Sequence, residues 1–240
     1  MKNILKFPAI FVLLLLIGCK EDSEKPKVAY EKPAILEKKA RPIQIEIADL
    51  PFQMPGTNYL IHPIADLSIS ESSLKSRSES STNPNDVSFK VSNYSEYEIT
   101  GYLRNLQFQE IGSDSLRPLS LKPILIQTAT YLKSVSDKTK QQLMAYTLAD
   151  MDTNKDNKLD ENDVKSLYLS EISGERFTKI TTDFQELIDW KMIESKNRLY
   201  FRTVEDINKN GYFDKNDVIH YHFIDLSTKE WNITSYSPVE

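Results

Sequence analysis

The sequence predicts a mainly β domain built from tandem four-stranded antiparallel meanders, and three observations predict it. The first is an internal repeat: DTNKDNKLDEND, from Asp152 to Asp163, returns 54 residues on as DINKNGYFDKND, from Asp206 to Asp217. Across the thirteen positions from Asp152 to Val164, seven are identical in the second copy, and the same offset matches Val164 with Val218, Ser173 with Ser227 and Phe177 with Trp231. Self-similarity at a fixed period marks a repeat architecture. The second observation is the composition around the second loop, where RLYFRTVED and VIHYHFIDL are of strand length and rich in β-branched and aromatic residues. The third is the punctuation: a tight turn at Ser227 to Lys229 precedes EWNITSY, and Ser173 and Gly174 precede ERFTKIT at the matching place.

In chain order these signals give a β-repeat domain over residues 44–240 with units at 58–120, 121–181 and 184–236. Each unit has a leading strand: NYLIHPIADL, then PILIQTATYL, then QELIDWKMI. In the first unit LRNLQFQEIGSDSLRPLS follows the pattern of VKSLYLSEISGERFTKIT, and VSFKVSN from Val87 is expected as the other hairpin arm. YSEYEITGY then stands where the later units carry their loop, with Glu96 and Glu98 but no alternating acids, so no metal is expected there. QIEIADL, from Gln44, offers one further strand, and the serine-rich Ser68 to Asn85 reads as an insertion after the first strand. A competing reading is helical, because Val164, Leu167, Tyr168 and Ile172 lie at i, i+3, i+4 and i+8. It would make an α module of the helix, loop, helix kind; VIHYHFIDL carries no such stripe, and a repeat keeps its architecture.

The N-terminus sets the compartment. Two lysines precede an apolar run from Phe7 to Ile17, which is short for a bilayer span and reads as the core of a signal peptide, residues 1–18. Leu16, Ile17, Gly18 and Cys19 resemble the bacterial lipobox, which implies lipidation of Cys19, the single cysteine of the chain. Lys20, Glu21 and Asp22 resemble the export tag of Bacteroidetes surface lipoproteins, which implies a lipid-anchored, surface-exposed outer-membrane protein. Residues 19–43, rich in Lys, Glu and Pro, read as a flexible tether to the membrane. The formal charge of −5 falls to −7 once Lys2 and Lys6 leave with the signal, and no basic cluster with interleaved aromatics argues for nucleic acid.

The two loops carry the chemistry. A twelve-residue calcium loop takes oxygen ligands from positions 1, 3, 5, 7, 9 and 12, because a hard cation needs six to eight oxygens around one turn. The first loop supplies Asp152, Asn154, Asp156, the carbonyl of Lys158, Asp160 and Asp163; the second supplies Asp206, Asn208, Asn210, the carbonyl of Tyr212, Asp214 and Asp217. Position 6 needs a positive φ, which Gly211 and Asn157 tolerate. Position 12 is Asp rather than Glu in both loops, as in dockerins. With four carboxylates against three, the first loop is expected to bind Ca2+ more tightly, and outside the cell weak sites stay filled.

Tandem four-stranded meanders are the unit of a β-propeller. The returning strand ERFTKIT, after its short turn, resembles a TolB-type blade, which implies a partial, propeller-like array over about Asn58 to Tyr236. Other constellations carry less. His220 and His222 share a strand face without a third ligand nearby in sequence, and six glycines form no phosphate-binding loop. No serine elbow or cysteine nucleophile is present, and Glu171 with Glu175, or Trp190, Trp231 and Tyr200, read as solvated acids and core aromatics. The expected function is noncatalytic: a calcium-stabilised envelope domain that presents a surface to a protein or glycan. The alternative is an EF-hand or dockerin-like docking or calcium-responsive module; a hydrolase or accessory subunit is a third class.

Overall fold

The computed structural model describes residues 26–30, 45–67 and 90–239. The signal region with Cys19 and the serine-rich insertion lie outside the described residues. Strands β1 (Ile45–Ala48), β2 (Phe52–Gln53) and β3 (Tyr59–Leu67) are followed by the hairpin of β4 (Ser92–Tyr94) and β5 (Glu98–Leu103) and that of β6 (Asn105–Glu110) and β7 (Leu116–Pro118). Then come β8 (Leu125–Tyr131), a short helix α1 (Lys133–Thr139), β9 (Leu143–Ala149), β10 (Lys165–Glu171) and β11 (Thr178–Lys179). The last run is β12 (Gln185–Ile193), β13 (Arg198–Glu205), β14 (Val218–Asp225) and β15 (Ile233–Ser235).

Among the described residues these strands form three antiparallel sheets and no closed barrel. The first runs β1-β3-β6-β7 with β2 also on β3, the middle one β11-β10-β9-β8-β5-β4, and the last β12-β13-β14-β15. The second and third expected units are both four-stranded meanders, with the acidic loops between their second and third strands. A +54 shift carries Lys165–Glu171 onto residues 219–225 of β14.

The middle sheet is buried on both faces, and that explains its sequence. Met144, Tyr146 and Leu148 of β9 point into a core shared with Ile61, Leu106 and Phe108 of the first sheet. Leu143 and Ala145, one residue out of phase, point into a second core with Leu187, Leu199, Phe201 and Ile224 of the last sheet. A strand covered on both sides reads as an unbroken apolar run, and each fully buried Leu or Ile contributes about 1.5–3 kcal/mol. The repeat persists in the packing: Phe177 stacks on Tyr168 at 4.6 Å in the first core, while Trp231 packs against the second.

The helical alternative is overturned. Leu167 and Leu169 of β10 face the second core while Tyr168 and Ile172 face the first, so the residues that mimic a helical stripe are two strand faces read together. The first unit also departs from expectation. β3 pairs directly with β6, while β4 and β5 leave to extend the middle sheet past β8. YSEYEITGY is therefore mostly the strand β5, not a loop, and the Val87 arm contributes only Ser92–Tyr94 to a described strand. Arg104, between β5 and β6, carries the chain from one sheet to the next; its N–H donates to the Ile64 carbonyl at 2.7 Å. The strand expected from Gln44 is present as β1, paired with β3.

Candidate metal centres

Both acidic loops are hairpin tips whose backbone is shaped by their own side-chain oxygens. In the first, the Asp156 N–H donates to Asp152 Oδ1 at 3.1 Å and to Asn154 Oδ1 at 2.9 Å, and the Asn157 N–H donates to Asp152 Oδ2 at 2.8 Å. The Lys158 N–H donates to Asp156 Oδ1, the Asp160 N–H to Asp163 Oδ2 and the Asn162 N–H to Asp160 Oδ1. The second loop repeats all six bonds 54 residues on: Asn210 to Asp206 and Asn208, Gly211 to Asp206, Tyr212 to Asn210, Asp214 to Asp217 and Asn216 to Asp214. Positive φ recurs at Lys155 (59°) and Lys209 (56°), and at Asn157 (65°) and Gly211 (87°). Asn and Asp close turns on backbone N–H groups nearby, and here the side-chain oxygens of positions 1, 3, 5, 9 and 12 each accept an N–H of their own loop.

The ligand positions differ in how well they are satisfied. Asp163 is fully buried; its Oδ1 accepts the Thr153 N–H at 2.7 Å and its Oδ2 the Asp160 N–H at 3.0 Å. Burial pushes its carboxyl above the ordinary carboxylate value, against those hydrogen bonds. In the second loop position 2 is Ile207, half exposed, and Asp217 Oδ1 is buried without a hydrogen-bond partner among the described residues. A buried oxygen left unpaired costs about 1–3 kcal/mol. Among the described residues no three His, Cys, Asp or Glu side chains are gathered as a metal cluster. A calcium loop differs from such a cluster in drawing on Asn oxygens, a main-chain carbonyl and water as well as carboxylates. The donor set, all hard oxygen, and the orphaned Asp217 oxygen fit a hard divalent cation.

The loops are fixed to the body unequally. At the base of the first, Asp150 accepts the Tyr168 hydroxyl and the Lys179 ammonium, each at 2.8 Å, and Arg104 Nη1 donates to the Leu159 carbonyl at 3.0 Å. Position 8 is apolar in both loops, yet Leu159 and Phe213 are only half-buried.

Sequence reasoning missed the segment that joins the two loops. Residues 26–30 fall in the stretch expected to be a flexible tether, yet they lie between the loops. The Lys27 and Val28 N–H groups donate to the Gly211 carbonyl at 2.8 and 3.2 Å, and the Ala29 N–H donates to the Thr153 carbonyl at 2.8 Å. The Thr153 hydroxyl donates to the Lys27 carbonyl at 2.6 Å, and Val28 is 2% exposed. Lys27 also meets Glu186 at 2.9 Å, a buried carboxylate that holds Lys165 as well. The Tyr30 hydroxyl is pushed up to about 12 by burial and then by the Asp206 charge. Val28, Ala29 and Tyr30 between charged residues were the only signal for this contact, too short to show a period.

The set-aside constellations stay apart. His220 bonds Glu205 at 2.8 Å and lies 6.2 Å from the His222 ring, whereas His62 sits on β3 with Gln109. Burial and the neighbouring His220 hold His222 below the ordinary imidazole value. Glu171 and Glu175 are paired with Arg176 and Arg117. Trp190 and Trp231 pack on the second core, while Tyr200 joins Phe223 and Tyr236. No protein-family model matches this chain, and no curated protein or solved structure is significantly similar to it.

Proposed function

We propose that this chain is a calcium-stapled domain of the bacterial cell envelope, anchored in the outer membrane through a lipid on Cys19 and exposed at the surface. Its role is noncatalytic: calcium fixes two hairpin tips of a domain that presents a binding surface to a protein or glycan. The observation that supports this is the hydrogen-bond frame repeated in both loops, in which Asp152, Asn154, Asp156, Asp160 and Asp163, and Asp206, Asn208, Asn210, Asp214 and Asp217, each accept backbone N–H groups of their own loop. The carbonyls of Lys158 and Tyr212 complete the sets at position 7. Bound calcium supplies positive charge that cancels repulsion among the acids. The chain's own residues do the rest: backbone N–H groups orient the carboxylates, and the strands on either side fix the ends of each turn. A site filled at all times stabilises rather than signals, and strands flanking both loops leave no helix pair to open. Isothermal titration of the domain should give two calcium ions per chain, and one each for Asp152→Ala and Asp206→Ala; no heat of binding in the unsubstituted protein would overturn the reading.

A further inference from the structure

The strap formed by residues 26–30 lands on two backbone units that also organise the loops. Thr153, whose carbonyl and hydroxyl hold Ala29 and Lys27, gives its N–H to Asp163. Gly211, whose carbonyl takes both Lys27 and Val28, gives its N–H to Asp206. Each strap contact is thus one peptide unit from a carboxylate at the first or last ligand position. Gly211 has a second reason to be glycine besides its φ of 87°. A Cβ there would stand 2.5 Å from the Val28 carbonyl oxygen and 2.9 Å from Pro26 Cβ, so the strap crosses directly over it. The matching position of the first loop, Asn157, carries a side chain at a φ of 65°.

We propose that residues 26–30 are a strap whose docking between the two loops is coupled to their occupancy by calcium, each favouring the other. This rests on the calcium reading above. Without a cation, carboxylates drawn into one turn repel each other, the turn loosens, and the peptide units at Thr153 and Gly211 no longer stand where the strap needs them. By reciprocity, a docked strap holds Asp163 and Asp206 in place and raises calcium affinity by the same factor. The coupling sets the reach of the lipid anchor. With the strap docked, residues 20–25 alone separate Cys19 from the body, a span of at most roughly 25 Å. Released, the chain from Cys19 to β1 at Ile45 can span up to roughly 90 Å. With both sites filled, calcium would hold the domain close to the membrane.

The test is amide hydrogen exchange on the full chain in detergent, with calcium titrated on the same samples. The amides of Lys27, Val28 and Ala29 should exchange at least about tenfold faster in chelator than in calcium, while those of β9 stay protected. Gly211→Asn, which keeps a residue tolerant of positive φ, should expose the strap amides with calcium present and weaken calcium binding by about fivefold or more. Val28→Asp, outside both loops, should do the same and covers the case in which the Gly211 variant distorts its own loop. Calcium uptake with unchanged strap exchange would overturn the strap and leave the calcium reading standing. No calcium uptake would overturn both, and full strap release by Val28→Asp with unchanged affinity would overturn the coupling.

Discussion

Asp163 and Asp217 occupy the same position of the two loops and do different work. The first is buried and accepts the N–H groups of Thr153 and Asp160, so it shapes its loop whether or not a cation is bound. The second keeps the bond from Asp214 but leaves Oδ1 buried without a partner among the described residues. Asp163→Ala should therefore destabilise the domain by about 1–3 kcal/mol even in chelator, by leaving buried N–H groups without an acceptor. Asp217→Ala should cost less than that in chelator and should remove the calcium-dependent gain of the second loop. Denaturant titrations of the two variants with and without calcium check both; equal losses in chelator would contradict the asymmetry. At this scale the sequence was informative about backbone: alternating acids and a Gly or Asn at position 6 correspond to the φ values seen. It did not show the difference between the loops, which arises because Thr153 presents its N–H to the carboxylate while Ile207 lies exposed.

Strand identity was legible where one periodicity dominates and ambiguous where two faces are buried. β14 shows no helical stripe, while β10 shows an accidental one because Leu167 and Tyr168 serve opposite cores. Leu167→Ala should cost about 2–5 kcal/mol, as deletion of a fully buried leucine does. Tyr168→Phe should cost about 1 kcal/mol through its hydroxyl bond to Asp150, and should loosen the base of the first loop. Thermal or denaturant unfolding measures both; a loss below 1 kcal/mol for Leu167→Ala would contradict a double-faced middle sheet. The departure of β4 and β5 to that sheet had no sequence signal, since a hairpin that can add to either of two neighbouring edges has the same alternation in both. Val28 illustrates the same limit: one buried side chain and three backbone bonds fix a segment whose composition reads as linker.

For the whole molecule, three stacked sheets supply the core and the loops lie at its margin, so calcium should alter stability without altering architecture. The far-ultraviolet circular dichroism spectrum should be dominated by strands and unchanged on adding calcium, because each loop joins strands already paired along their length. Thermal melting of the domain in calcium and in chelator, for the unsubstituted protein and for Asp152→Ala with Asp206→Ala, tests the central claim most directly. A site held at ten times its dissociation constant contributes about 1.4 kcal/mol, so two should raise the midpoint by roughly 5–10 °C. The account predicts that rise in the unsubstituted protein and its loss in the double variant; identical midpoints in calcium and chelator for the unsubstituted protein would contradict it.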